Sequence, residues 1–247
     1  MSKKQSTGGK EKLAGNKRAE EERSEIREWI KSGAFAIVLF FFMRMFLIQT
    51  FVITSGSMEN TLLVGDYLIV NRAAIGSRIP LLGVRVPGYA TVERGDVLVF
   101  DPPHEPELKL VKRLVGMPGD TIEMKSKVVH INGTAMEEPY VQHLDPYEDE
   151  RHPWMAWQSE FLVPGVARDT YRPTRDNWGP LVVPSGHYFM LGDNRDTSLD
   201  SRYWGLLEAD RLEGRASRIY YSYDKESIKP FRFIRDMRAG RVGAAIR

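Results

Sequence analysis

One apolar run constrains this chain more than any other feature. From Gly33 to Ile48 the only charged side chain is Arg44. With Trp29 and Ile30 the run approaches the roughly 20 residues that cross a bilayer. Arg44 lies near one end, where a long cationic stem can reach the interface. A membrane anchor is the preferred reading over a cleaved secretory peptide or a buried core helix. A cleavage site of the small-x-small kind exists at Ser55-Gly56-Ser57, but the long, acid-bearing stretch before the run is unlike a secretory leader. Residues 1–24 are polar and read as a disordered tail, and 25–50 as a transmembrane helix. Nine Lys and Arg side chains from Lys3 to Lys31 precede the run, which orients the N-terminus to the cytoplasm and the body of the chain to the far side.

Beyond Phe51 the pattern changes to short β-branched and aromatic runs bounded by Gly, Pro, Asn or Asp. Strands are predicted at 66–70, 96–100, 108–115, 121–124, 128–131, 187–191 and 216–223, with a tight turn at Asn132-Gly133. The expected class is therefore mainly β. Residues 51–136 and 186–229 form two parts of one β-domain. A polar, proline-rich insertion or second lobe lies between them at 137–185, and a basic tail follows at 230–247. In that tail Phe231, Phe233, Ile234 and Met237 alternate with Arg232, Arg235, Arg238 and Arg241. This pattern suits either an interfacial helix on membrane lipid or a tail packed on the domain. The formal net charge of +2 gives no reason to invoke nucleic acid, and the absence of Cys removes disulfides, thiolate catalysis and Cys-based metal sites.

Three segments carry chemistry. Ser57, in Ser55-Gly56-Ser57-Met58, follows the apolar run closely, and a serine nucleophile needs a base. None of the five His sits in a triad setting. Lys112, between apolar neighbours in Leu110-Val111-Lys112-Arg113-Leu114-Val115, is the better base, because desolvation lowers a lysine pKa. The third segment runs from Gly192-Asp193-Asn194-Arg195-Asp196 to Ser201-Arg202-Tyr203-Trp204-Gly205. A Ca²⁺ loop starting at Asp196 fails, having Ser201 where Gly is required and Leu207 where the bidentate Glu is required. Alternating Asp and Arg here can instead build a paired network that aims a hydroxyl such as Ser198.

These segments resemble bacterial type I signal peptidases, membrane-bound Ser–Lys endopeptidases. The likeness runs from the apolar segment to about Tyr223 in four ordered blocks: Ser55 to Met58 with Thr61 to Asp66, Arg94-Gly95-Asp96-Val97, Val111 to Asp120, and Gly192 to Gly205. It implies a signal-peptidase-type β-fold with a smaller inserted lobe and one N-terminal transmembrane helix. It also implies Ser57 as nucleophile, Lys112 as general base, Ser55 as an oxyanion-hole hydroxyl beside the Ser57 N–H, and Ser198 as the hydroxyl orienting the lysine. Arg113, Gly192, Asp193, Arg195, Asp200 and Arg202 become the supporting network, and Met58, Leu110 and Val111 the walls of shallow substrate pockets. The implied substrates are signal-peptide-bearing pre-proteins cut after small residues at the outer face of the cytoplasmic membrane, with no cofactor and no metal. Two departures stand out: Glu59-Asn60 where a proline usually precedes Thr61, and Thr197 where Asn is common. A self-cleaving Ser–Lys protease of the repressor type and a non-enzymatic membrane-anchored scaffold are the competing readings.

Overall fold

A computed structural model describes residues 7–78, 84–146 and 151–247. Two compact units divide at Met45 and Phe46. The first is dominated by helix α1 (Thr7–Phe46). Helix therefore replaces the disorder expected for residues 7–24; residues 1–6 lie outside the described part. The Lys-, Glu-, Arg- and Ala-rich composition of this stretch has high helix propensity, which outweighs its lack of a core-forming face. The large apolar side chains from Phe35 to Met43 are exposed. Among the described residues no helix is long and apolar enough to cross a membrane. Helix also does not continue to residue 50. Strand β1 (Ile48–Val52) begins two residues after α1 ends, because its β-branched residues find a ladder on β2 (Asp66–Asn71), with Thr50 opposite Ile69.

The second unit is built on strands. After β2 come the single helical turn α2 (Arg72–Ile75), the short pair β3 (Gly76–Arg78) and β4 (Arg85–Pro87), then β5 (Val97–Phe100) and β6 (Leu110–Gly116). Next are β7 (Thr121–Lys125), β8 (Val128–Ile131) and β9 (Thr134–Ala135). The chain closes with β10 (Trp178–Val182), β11 (His187–Leu191), β12 (Leu207–Glu208) and β13 (Leu212–Ser222). Seven strands form the main sheet in the order β1-β2-β13-β5-β6-β11-β12. A second sheet runs β10-β7-β8-β9. Asn132 and Gly133 both take positive φ (53° and 81°) between β8 and β9, the type I′ geometry that the sequence calls for.

The pairing of β10 with β7, Leu181 opposite Ile122, redraws the expected lobe. The smaller sheet takes 121–135 from the stretch assigned to the main domain. Its core joins Ile122, Met124 and Val129 to Met155, Leu162, Trp178 and Phe189. The segment from 137 to 177 is thus the connection that returns the chain to its own sheet. Two further apolar clusters flank the main sheet, one around Leu62, Leu68, Val97 and Val99, the other around Leu98, Phe100, Leu114 and Met190.

The C-terminal segment is docked over most of its length. Ile246 N–H donates to the Ser217 carbonyl at 3.0 Å and Gly243 N–H to Ile219 at 2.7 Å, extending the sheet beside β13. Arg241 reaches the buried Asp66 carboxylate at 2.6 Å. One α-helical turn forms, α4 (Arg232–Arg235), and one 3₁₀ turn, Ala239–Arg241. Phe231, Phe233 and Ile234 remain exposed.

Candidate active site

Ser57 lies in a single 3₁₀ turn, Gly56–Met58, after β1. Buried Met58 and Leu62 pin this turn to the core, and Asn194 N–H donates to the Ser57 carbonyl at 3.2 Å. Lys112 sits in the interior of β6 opposite Leu98 of β5, and directly opposed residues share a sheet face. The two side chains meet: Lys112 Nζ and Ser57 Oγ are in hydrogen-bond contact. Ser55 Oγ lies 3.4 Å from Ser57 Oγ.

Lys112 is 2% exposed. Burial is the main force pulling its ammonium down, to about 8; the nearby Arg202 adds to the shift, while the Asp200 and Asp193 carboxylates oppose it. A lysine at this value is neutral in about a tenth of the molecules at pH 7, and that neutral fraction can accept a proton.

The supporting residues form two buried ion pairs. Arg113 grips Asp193 through two bonds, Nε to Oδ1 at 2.8 Å and Nη2 to Oδ2 at 2.7 Å. It also donates to the Gly95 carbonyl at 2.7 Å and lies 3.7 Å over the Tyr140 ring. Arg202 grips Asp200 in the same two-pronged way, with both bonds at 2.8 Å. Burial alone would raise the Asp200 carboxyl, but the charge and hydrogen bonds of Arg202 outweigh it and hold the group below its ordinary value. Asp200 also caps helix α3 (Ser201–Trp204) and accepts from Gly192 N–H at 3.1 Å. Arg195 donates to the Gly192 carbonyl at 3.1 Å and pairs with Glu138. Gly192 has no room for a side chain: a Cβ would lie 2.1 Å from Ser198 Oγ and 2.5 Å from the Ser57 carbonyl oxygen.

Ser198 is buried beside this glycine, but the hydrogen bond expected to the lysine is not made; its Oγ has no partner among the described residues. Of the remaining expected positions, Met58, Leu110 and Val111 do line a cleft together with Ser55, Ser57 and Lys112, of about 170 Å³. The departure at Asn60 has a local cause. Its φ is 84°, which proline cannot adopt, and its side chain donates to the Tyr140 carbonyl at 3.0 Å. Thr197 is exposed.

Sequence reasoning missed Thr61, Tyr140 and Glu138, which complete the shells of Asp193, Arg113 and Arg195. It also missed the clamp on Asp196, where Lys127 (3.1 Å) and Arg175 (3.6 Å) converge. The partners come from β8's leading turn and the 137–177 connection, so no local pattern announces them.

A serine in contact with a buried lysine, framed by two carboxylate–guanidinium pairs at the edge of a cleft, suits a serine hydrolase. The match to known families carries the assignment further: residues 26–221 match the family described as signal peptidase, peptidase S26, and the chain belongs to that family. It is 36% identical to a signal peptidase I of Pseudomonas aeruginosa over 79% of this chain and 72% of that protein. It is 33% identical to one of Pseudomonas fluorescens over 81% and 74%, and 32% identical to one of Bacillus licheniformis over 82% and 92%. A solved signal peptidase I from Enterococcus faecalis is 29% identical and covers 51% of this chain and 97% of its own, with a TM-score of 0.35; that superposition is too loose to bear on the fold. As a member of the family, the chain is a serine endopeptidase that removes signal peptides from pre-proteins.

Proposed function

We propose that Ser57 and Lys112 carry the cleavage, and that the observation on which this rests is the contact of Ser57 Oγ with a lysine amine buried to 2% exposure. Neutral Lys112 takes the Ser57 hydroxyl proton as Oγ attacks the scissile carbonyl. The oxyanion that forms accepts from the Ser57 N–H and the Ser55 hydroxyl. Such prearranged donors are each worth roughly 3–4 kcal/mol in the transition state. The protonated lysine then gives its proton to the departing amine. A water, deprotonated by the Lys112 amine, then attacks the acyl-serine; Ser57 Oγ leaves, taking that proton back from Lys112, and the new C-terminus is freed. Ser198, buried beside Gly192, turns onto the lysine amine and orients it during these transfers. Arg113, Asp193, Arg195, Asp200 and Arg202 fix the backbone around the dyad.

The substrate lies extended as an added strand in the cleft lined by Met58, Leu110 and Val111. The small volume of that cleft favours Ala before the cut. Helix α1 anchors the chain in the cytoplasmic membrane of a bacterium in a single pass, with the N-terminus inside and the β-unit outside. The exposed apolar side chains from Phe35 to Met43 support this reading, since a contiguous apolar surface calls for a cover.

A labelled peptide with an Ala-x-Ala site tests the proposal. The full chain cuts it, and Ser57→Ala and Lys112→Ala each abolish cutting with the fold retained. Substantial turnover by Lys112→Ala would sink the dyad.

A further inference from the structure

A second cleft, of about 570 Å³, shares no lining residue with the one at Ser57. Its volume is that of pockets which hold small molecules. It opens between the 3₁₀ segment Pro153–Glu160, helix α3 and the β11–β12 pair. Trp154, Trp157, Tyr203 and Trp204 face it, and Trp154 is 59% exposed. No Lys or Arg lines it; the imidazoles of His104, stacked on Trp204, and His187 do, and its single carboxylate is Glu208. Arg211 Nε donates to Glu208 Oε2 at 2.9 Å; Oε1 takes no hydrogen bond among the described residues.

Ring faces carry negative electrostatic potential and attract cations, and a carboxylate at the same wall adds to that attraction. An anion would meet both features unfavourably. A neutral apolar molecule would gain burial but nothing from Glu208. The walls therefore select a cation carried on an apolar body.

The cleft also borders the segment that holds the base-side network. Leu199 lines it from between Ser198 and Asp200, and the Leu199 carbonyl accepts from Trp204 Nε1 at 3.3 Å. Trp157 Nε1 donates to the Arg202 carbonyl at 3.2 Å. Anything seated among these rings presses on residues 198–204.

We infer that this cleft binds a hydrophobic organic cation, an alkyl- or arylammonium, and that its occupancy alters the catalytic step through the 198–204 segment. The second half of this statement rests on the Ser57–Lys112 reading. The first half does not.

The test titrates the full chain in a non-ionic detergent with phenyltrimethylammonium and with its neutral isostere tert-butylbenzene, following tryptophan fluorescence and heat. Saturable binding of the ammonium is expected, weakened roughly three- to thirtyfold by Trp154→Ala and by Glu208→Gln. The isostere binds more weakly and is indifferent to Glu208→Gln. At saturation the kcat for Ala-x-Ala peptide cleavage changes with KM unaltered, and Glu208→Gln at the same ammonium concentration shows a smaller change. Absence of saturable binding, equal affinity for the isostere, or undiminished affinity in both variants overturns the site. A filled cleft with unchanged kcat overturns the coupling. Intact binding by a protein that cuts no peptide strikes the peptidase reading and leaves the cation site standing.

Discussion

A lysine amine accepts a proton only when neutral, so the environment of Lys112 sets the pH dependence of both rate and stability. Folded, the group titrates at about 8, against 10.5 for the ordinary side chain. Peptide cleavage should fall about tenfold per pH unit well below 8 and level off above it. A profile flat from pH 5 to 9, with chemistry rate-limiting, would contradict a desolvated lysine base. Below pH 8 the ammonium is charged in both states and the folded state bears its full desolvation cost. Between 8 and 10.5 the unfolded chain holds more protons, so stability rises with pH. Above 10.5 the cost has vanished. The gap amounts to about 3 kcal/mol. Lys112→Met should therefore stabilise the protein at pH 7 by up to that amount while abolishing cleavage, and the advantage should shrink above pH 8. Urea midpoints across pH check this. Gly192 makes a second single-residue case. With a Cβ forced against Ser198 and the Ser57 carbonyl, Gly192→Ala should displace the nucleophile and cost on the order of 10²-fold in kcat. A near-wild-type kcat would show that the loop relaxes freely.

Elements here are held by pairs that the chain brings together from afar. Helix α3 is a single turn, too short to persist on its own. It stands because Asp200 caps it and pairs with Arg202 in a fully buried bond. Asp200→Ala leaves a buried guanidinium without its counter-charge and should destabilise by about 3–5 kcal/mol; an unchanged Tm would refute that account. The turn after Ser57 offers the converse experiment. Asn60→Pro installs the proline that the resemblance leads one to expect before Thr61, yet φ is 84° here and proline requires about −65°. The substitution should lower stability by more than about 1 kcal/mol, and a gain in urea midpoint would show the left-handed turn to be dispensable. The same scale explains what the sequence revealed. Strands β2, β5, β6 and β11 were legible because their apolar runs are dense and bounded by turn residues. Ser57, Lys112 and the 192–205 segment were legible because their ordered blocks are specific. The start of β1 was not, since a Phe-rich helix runs into it without a breaker. The lobe boundary was not, since it depends on β10 reaching β7 across the long 137–177 connection. The tail was ambiguous for the same reason: its arginines look interfacial until Asp66, far away in sequence, claims Arg241.

At the scale of the whole molecule, the two units have separate jobs. Among its described residues the β-unit, 46–247, contains three buried apolar clusters and the buried Arg113–Asp193 and Arg202–Asp200 pairs. It has the means to fold alone. Helix α1 contributes exposed apolar side chains, and the anchoring proposed for it would act through concentration rather than chemistry. Two molecules confined to one membrane meet at a high effective concentration without any added contact. Removing residues 1–45 should leave the melting temperature and the kcat/KM for a short soluble peptide within about twofold of the full chain. Cleavage of a pre-protein embedded in vesicles should instead drop by at least ~10-fold. The full chain should pellet with vesicles and resist carbonate extraction, and the truncated chain should not be retained in this way. If the full chain were extracted as readily as the truncated one, α1 would not be an anchor. If the full and truncated chains cut embedded pre-protein equally well, the β-unit would have to reach the membrane by itself, and the exposed Phe231, Phe233 and Ile234 would be the first residues to replace.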